Sequence, residues 1–145
     1  MIRRATAGDL EEILPRTLAF NVDEGIAVDE AQLRRAIGEL IASPSLGAIF
    51  LIVDGEVNVG HLVVTYGYDL EFAGRDAIIT ELWVDPPARG RGAAQSALAL
   101  LEPHLREAEV RALHLQVRPE NHGARRIYER AGFETSPRIV MTKQL

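Results

Sequence analysis

The strongest constraint in this sequence is a β-rich run that halts at two consecutive prolines and passes through a glycine-bracketed turn straight into a helix. Residues 76–102 read DAIITELWVDPPARGRGAAQSALALLE. Proline cannot donate to a β ladder, so the strand stops at Pro86 and Pro87. The stretch GAAQSALALLEPHLREAE then reads as a helix, with Pro103 removing one internal hydrogen bond and bending it. RALHLQV follows, its Leu113, Leu115 and Val117 alternating as a strand does. A strand, a crossover helix and a second strand form one unit, to which the rest of the chain must add.

The preceding residues supply helices and hairpins. ATAGDLEEILPRTLAF offers Thr6 and Asp9 as N-caps and Leu10, Ile13, Leu14 and Leu18 at helical spacing, with a bend expected at Pro15. DEAQLRRAIGELIAS repeats the pattern and ends before Pro44. AIFLIVDGEVNVGHLVVTY holds two β-rich runs joined by Asp54-Gly55, a dipeptide favoured in tight hairpin turns. After RALHLQV, ENHGARRIYERAGF predicts a short helix stopped by Gly132, and RIVMTKQL predicts a last strand. The order is β-α-α-β-β-β-α-β-α-β, with no repeat and no linker. A sheet that starts as antiparallel hairpins and gains one crossover is mixed, so the expected class is α+β: a single domain over residues 1–145 with about four helices flanking the sheet.

Composition narrows the function. The chain has no cysteine, which removes disulfides, thiolate zinc sites and a cysteine nucleophile together. Four scattered histidines, His61, His104, His114 and His122, show neither HxH nor HExxH spacing, so no metal site is expected. The cations are almost all arginine and lie dispersed among 21 acidic residues, with a net charge of −5, which argues against a nucleic-acid partner. No apolar run approaches the roughly 20 residues of a membrane span. The opening MIRRATAGDLEE lacks the apolar core of a secretory signal, leaving the cytoplasm as the expected location.

The glycine turn itself suggests an anion site. A strand ending at Val84 and a helix starting near Gly92 put free backbone N–H groups at a helix N-terminus, and Arg89 and Arg91 add charge suited to phosphate oxygens. Taken alone, the segment reads as readily as a plain turn with solvated arginines. A Walker loop is excluded because the only lysine is Lys143. A dinucleotide loop is excluded because Gln95 stands where its third glycine belongs. The turn instead resembles the acyl-CoA loop of the GNAT superfamily of N-acetyltransferases, whose Gln/Arg, Gly and Gly/Ala positions are matched by Arg89, Gly92 and Ala94. NHGARRIYERAGF resembles that family's later segment through Asn121, Ala124, Tyr128, Gly132 and Phe133. The element order agrees along essentially the whole chain.

The resemblance implies the acyl-CoA N-acyltransferase fold, with a splayed sheet, and acetyl-CoA as cosubstrate. Backbone at Leu82, Trp83 and Val84 would pair with the pantetheine arm. Amides of Arg89, Gly90, Arg91, Gly92, Ala93 and Ala94 would hold the pyrophosphate, Asn121 would contact the CoA side of the cleft, and Tyr128 would act as general acid near the sulfur. A phenol with an ordinary pKa of about 10 suits the last role. Glu81, which shares a strand face with Trp83, is the candidate base, though an ordinary edge carboxylate fits the sequence equally well. His114 is held in reserve. Ribosomal-protein acetyltransferases with the same later motif carry a catalytic Glu where Gln116 stands here, which counts against that activity. Without cysteine, direct transfer to a primary amine of a small molecule or peptide in a ternary complex is the simplest mechanism. The alternative is a non-catalytic acyl-CoA-binding or regulatory module. The acidic FNVDEGIAVDE, and Tyr68, Glu71 and Phe72, could wall the acceptor pocket, but solvated loops and helix caps are the plainer reading. An open sheet edge would permit a homodimer.

Overall fold

A computed structural model describes residues 1–145. Five strands form one sheet in chain order: β1 (Ile2–Arg4), β2 (Gly47–Asp54), β3 (Val57–Asp69), β4 (Gly74–Val84) and β5 (Ala112–Leu115). The first three pairings are antiparallel and β4–β5 is parallel, as a crossover through a helix requires. The helices are α1 (Leu10–Asp23), α2 (Glu30–Ala42), α3 (Ala93–Glu107) and α4 (His122–Arg130). The mixed, mostly antiparallel sheet flanked by four helices is the α+β arrangement expected from the sequence.

Both faces of the sheet are covered, so alternate residues of the central strands enter two different cores. Ile49, Leu51 and Val63 meet Ile13 and Leu14 of α1 and Ile37 of α2. Ala48, Phe50, Leu62, Val64, Ala77 and Ile79 meet Ala97, Leu98, Leu101 and Leu105 of α3. Ile13 is fully buried, and burial of such a side chain contributes about 1.5–3 kcal/mol.

Local chemistry sets the helix ends. Asp9 accepts from the Thr6 backbone N–H at 2.7 Å, and both arms of the Arg3 guanidinium donate to its carboxylate at 2.8 and 2.9 Å, anchoring the start of α1 to β1. Asp29 caps α2 by accepting from the Gln32 N–H at 2.8 Å. Pro15 and Pro103 lie inside α1 and α3, each of which continues as one helix.

One expected element does not form. RIVMTKQL carries no regular structure, and Ile139, Val140 and Met141 are exposed. β5 offers a ladder of only four residues, and Arg138 turns instead to Glu71 beyond the end of β3, donating at 2.7 Å.

Candidate active site

A one-residue bulge in β4 creates the site. Val64 pairs with Ile79, but the next residue of β3, Val63, pairs with Glu81, so Thr80 is left over. Before the bulge Ala77 and Ile79 face α3; after it Glu81, Trp83 and Asp85 face α1, because an extra residue reverses the alternation. Pairing with β5 stops at the same point, since the β4–β5 register runs only from Asp76–Ala112 to Ile79–Leu115. From Thr80 to Val84, β4 keeps β3 on one side and has no strand on the other. The Asp85 N–H bonds the Val59 carbonyl, and strand alternation then turns the backbone polar groups of Trp83 toward β3 and those of Leu82 and Val84 toward the gap.

The gap opens onto the glycine turn. The Arg89 N–H is used within it, donating to Pro86 O at 3.3 Å, and the first backbone bond of α3 is Ser96 N–H to Gly92 O at 2.9 Å. The N–H groups from Gly90 to Gln95 donate to no carbonyl. Gly90 and Gly92 hold φ values of +77° and +80°, which glycine adopts without a steric penalty. No acidic residue occupies the first turn of α3. Unpaired amides in alternating-handed backbone at the positive end of a helix dipole form an anion cradle. The side chain of Arg89 is not part of it: its guanidinium lies 4.6 Å over the Trp83 ring, and Nε donates to Val84 O at 2.8 Å. That carbonyl belongs to one of the three residues, Leu82, Trp83 and Val84, expected to meet a pantetheine arm; the backbone polar groups of Trp83 turn to β3 instead.

Glu81 sits where the gap meets α1. One carboxylate oxygen, Oε2, accepts from Thr17 Oγ1 at 3.0 Å and lies 2.7 Å from His61 Nε2. Just beyond, Arg16 donates from Nε and Nη2 to Asp85 at 2.9 and 2.7 Å and from Nη2 to Asn58 O at 2.8 Å, pinning α1 to the ends of β4 and β3. Arg16 and, more weakly, the Trp83 indole N–H hold the Asp85 carboxyl below the usual range. Tyr128 approaches from α4, half-buried and edge-on to Phe133 with ring centroids 6.0 Å apart. Burial pushes its pKa above the ordinary phenol value, and the Glu24 carboxylate adds to the shift. Glu24 also accepts from Arg118, which follows β5. α1 therefore reaches Glu81 through Thr17, and its C-cap Glu24, seven positions later or roughly 10 Å along the helix, meets Arg118.

The model of the acetyltransferase (GNAT) family matches residues 19–133. The chain belongs to that family. YycN of Bacillus subtilis, named an uncharacterized N-acetyltransferase, is 37% identical over 75 residues, 52% of this chain and 47% of that protein. The chain thus spans about half the length of that relative. An integron cassette protein from the mobile metagenome of Cole Harbour Salt Marsh superposes with a TM-score of 0.87 at 31% identity, over 99% of this chain and 90% of that one. A predicted acetyltransferase from Clostridium acetobutylicum, solved with acetyl-CoA, shares the fold with a TM-score of 0.81 at 18% identity, over 99% and 95% of the two chains.

Within this GNAT domain the other polar residues singled out in the sequence have the following partners. Asn121 caps α4, its Oδ1 accepting from the Ala124 N–H at 3.2 Å. His114 is engaged by Asp76 at 3.3 Å and packs on Phe72. The acidic cluster is largely spoken for: Asp29 caps α2, Glu24 meets Arg118, and Asp23 lies 4.0 Å from Arg89. No group of three His, Asp or Glu side chains gathers in metal-binding geometry, and no helix is long and apolar enough to cross a membrane. A cavity of about 930 Å³ lies beyond β5 between α3, α4 and the C-terminal segment. It includes Tyr128 and Gln116 but none of the glycine turn, being the space left where the last segment passes β5 without pairing. Sequence reasoning passed over His61 and Thr17. The period of two in GHLVV puts His61 on the face of Val63 but does not say what it meets there.

Proposed function

We propose that the protein is an acetyl-CoA-dependent N-acetyltransferase that moves the acetyl group directly to a primary amine of a small molecule or peptide in a ternary complex. The observation that carries this reading is the junction of the unpaired amides from Gly90 to Gln95 with the half-unpaired strand that presents Leu82, Val84 and Glu81. The cradle suits a pyrophosphate in charge and donor supply, and Arg91 stands exposed beside it. The backbone of Leu82 and Val84 suits an amide-bearing arm, which requires Arg89 to leave Val84 O.

Acetyl-CoA supplies an activated thioester carbonyl. Glu81 accepts the proton that an ammonium must lose to become nucleophilic, directly or through one water. As the N–C bond forms and the C–S bond breaks, Tyr128 donates its phenolic proton to the departing sulfur and recovers one from the nitrogen, which ends as a neutral amide. The raised pKa of Tyr128 keeps the phenol protonated and able to donate at neutral pH. The products are the acetylated amine, CoA thiol and one proton released through Glu81.

Thiol release with acetyl-CoA and a panel of amines tests the reading. Turnover on at least one amine, lowered on the order of 10²- to 10⁴-fold in Glu81→Gln with CoA binding retained, is the expected result. Tight CoA binding without turnover on any amine would instead identify a non-catalytic module.

A further inference from the structure

Resting on the reading of Glu81 as base, we propose that His61 and Thr17 are positioning residues that clamp one oxygen of the Glu81 carboxylate and leave the other to take the proton. His61 is fully buried, 0% exposed, on β3, and its Nε2 lies 2.7 Å from Glu81 Oε2. Thr17, 2% exposed on α1, donates to the same oxygen at 3.0 Å and sits 3.4 Å from His61 Nε2. The Asn21 amide donates to Thr17 O at 2.8 Å and holds that turn of α1 in place. His61 Nδ1 is buried with no partner.

The orphan nitrogen identifies the tautomer. An ionised Glu81 only accepts, so Nε2 must carry the hydrogen. A second hydrogen on Nδ1 would bury an unpaired donor, whereas a bare lone pair there leaves the ring neutral. The assigned form is thus a neutral imidazole whose Nε2–H donates to Oε2. With the Thr17 hydroxyl donating to the same atom, Oε2 is saturated and the carboxylate is fixed at its rear. Oε1 forms no hydrogen bond to the protein and is the oxygen available to an incoming ammonium.

A histidine kept only for packing would be replaced at less cost by an apolar residue, since β3 beside it already runs through Leu62, Val63 and Val64, and no Nδ1 would then be stranded. The bulge at Thr80 completes the device. Were the strand to alternate without a bulge through Thr80, Glu81 would share the face of Ile79 and point to α3, away from both donors.

The test compares His61→Leu, His61→Gln, Thr17→Val and Glu81→Gln by steady-state thiol release. Leu removes the donor, whereas the terminal amide of Gln can place an N–H near the position of Nε2. His61→Leu is expected to lower kcat on the order of 10- to 100-fold, as misplacing a reacting group by about 1 Å does. The KM for acetyl-CoA should stay unchanged, and His61→Gln should recover most of the loss. Thr17→Val, which keeps the side-chain shape, should lower kcat in the same sense and serves as the second test if His61→Leu fails to fold. In a Glu81→Gln background, His61→Leu should cost nothing further, because His61 acts only through Glu81. A wild-type kcat in His61→Leu, a Gln variant no better than Leu, or an equal loss in both backgrounds would overturn the proposal. Full activity in Glu81→Gln would overturn the base assignment, and the role of His61 with it.

Discussion

Gly92 and Gly123 make a paired experiment on why the turn before α3 is built from glycine. A Cβ added at either position meets no atom within 4 Å, so packing cannot distinguish them. They differ in backbone: Gly92 holds φ at +80°, whereas Gly123 lies in α4 without a positive φ. Alanine in the left-handed region costs about 1–2 kcal/mol. Replacing glycine also restricts the unfolded chain, which stabilises by about 0.4–1 kcal/mol. Gly92→Ala should therefore lose about 1 kcal/mol net, and Gly123→Ala should gain about 0.4–1 kcal/mol. For a domain of this size the shifts in Tm are about 3 °C downward and about 1–3 °C upward. Calorimetry reads the sign directly. Titration with CoA reads the functional half: if the loop escapes its strain by abandoning positive φ, at least one cradle amide turns away. Losing one charge-assisted hydrogen bond, about 1.5–3 kcal/mol, weakens binding by roughly 10- to 100-fold. Gly123→Ala should bind CoA as wild type does. Shifts of the same sign in the two variants, or unchanged CoA affinity in Gly92→Ala, would mean that positive φ is not what the turn needs from Gly92.

Other consequences are equally direct. Tyr128→Phe should lower kcat on the order of 100-fold while leaving CoA affinity intact, and its raised pKa should keep the alkaline limb of the wild-type rate profile free of Tyr128 ionisation up to about pH 10. Asp85, whose folded pKa is depressed chiefly by Arg16, contributes stability that is present above the ordinary aspartate value of about 3.9 and is lost as pH falls through its folded pKa. Thermal melts of Asp85→Asn should accordingly show lower stability at neutral pH and a flatter decline in acid than wild type. Gly60→Ala should fold poorly or not at all, since its Cβ would lie 2.2 Å from the Trp83 carbonyl oxygen where β3 and β4 meet; a wild-type melt for that variant would contradict the strand register.

Much of this arrangement is legible in the chain because its signals are local. Helical spacing in residues 5–20 and 29–43, the Asp54-Gly55 hairpin and the prolines after Val84 each act over a few residues, and the structure places elements there. The bulge is different. IITELWV looks like an unbroken strand, and Ile79 and Glu81 appear to share a face; only pairing with β3 reveals that Thr80 is surplus and that the two point to opposite sides. His61 was obscure for a related reason. With helices on both faces, GHLVV is buried at every position, so its polar member carries no sign of what it touches. The direction of Arg89 could not be read either, because the Trp83 ring and the Val84 carbonyl that attract it come together only once the turn closes. RIVMTKQL has the composition of a strand, but a strand also needs a partner of sufficient length, and β5 provides only four residues.

The gap beside β4, and not the cavity beyond β5, is the predicted place of the acyl donor. A crystal structure with acetyl-CoA tests it most directly. The pyrophosphate should lie on the amides from Gly90 to Gln95, the pantetheine arm along Leu82 and Val84 with Arg89 displaced from Val84 O, and the thioester between Glu81 and Tyr128. Density for the cofactor in the 930 Å³ space lined by β5, α4 and the C-terminal segment, with the glycine turn untouched, would contradict it.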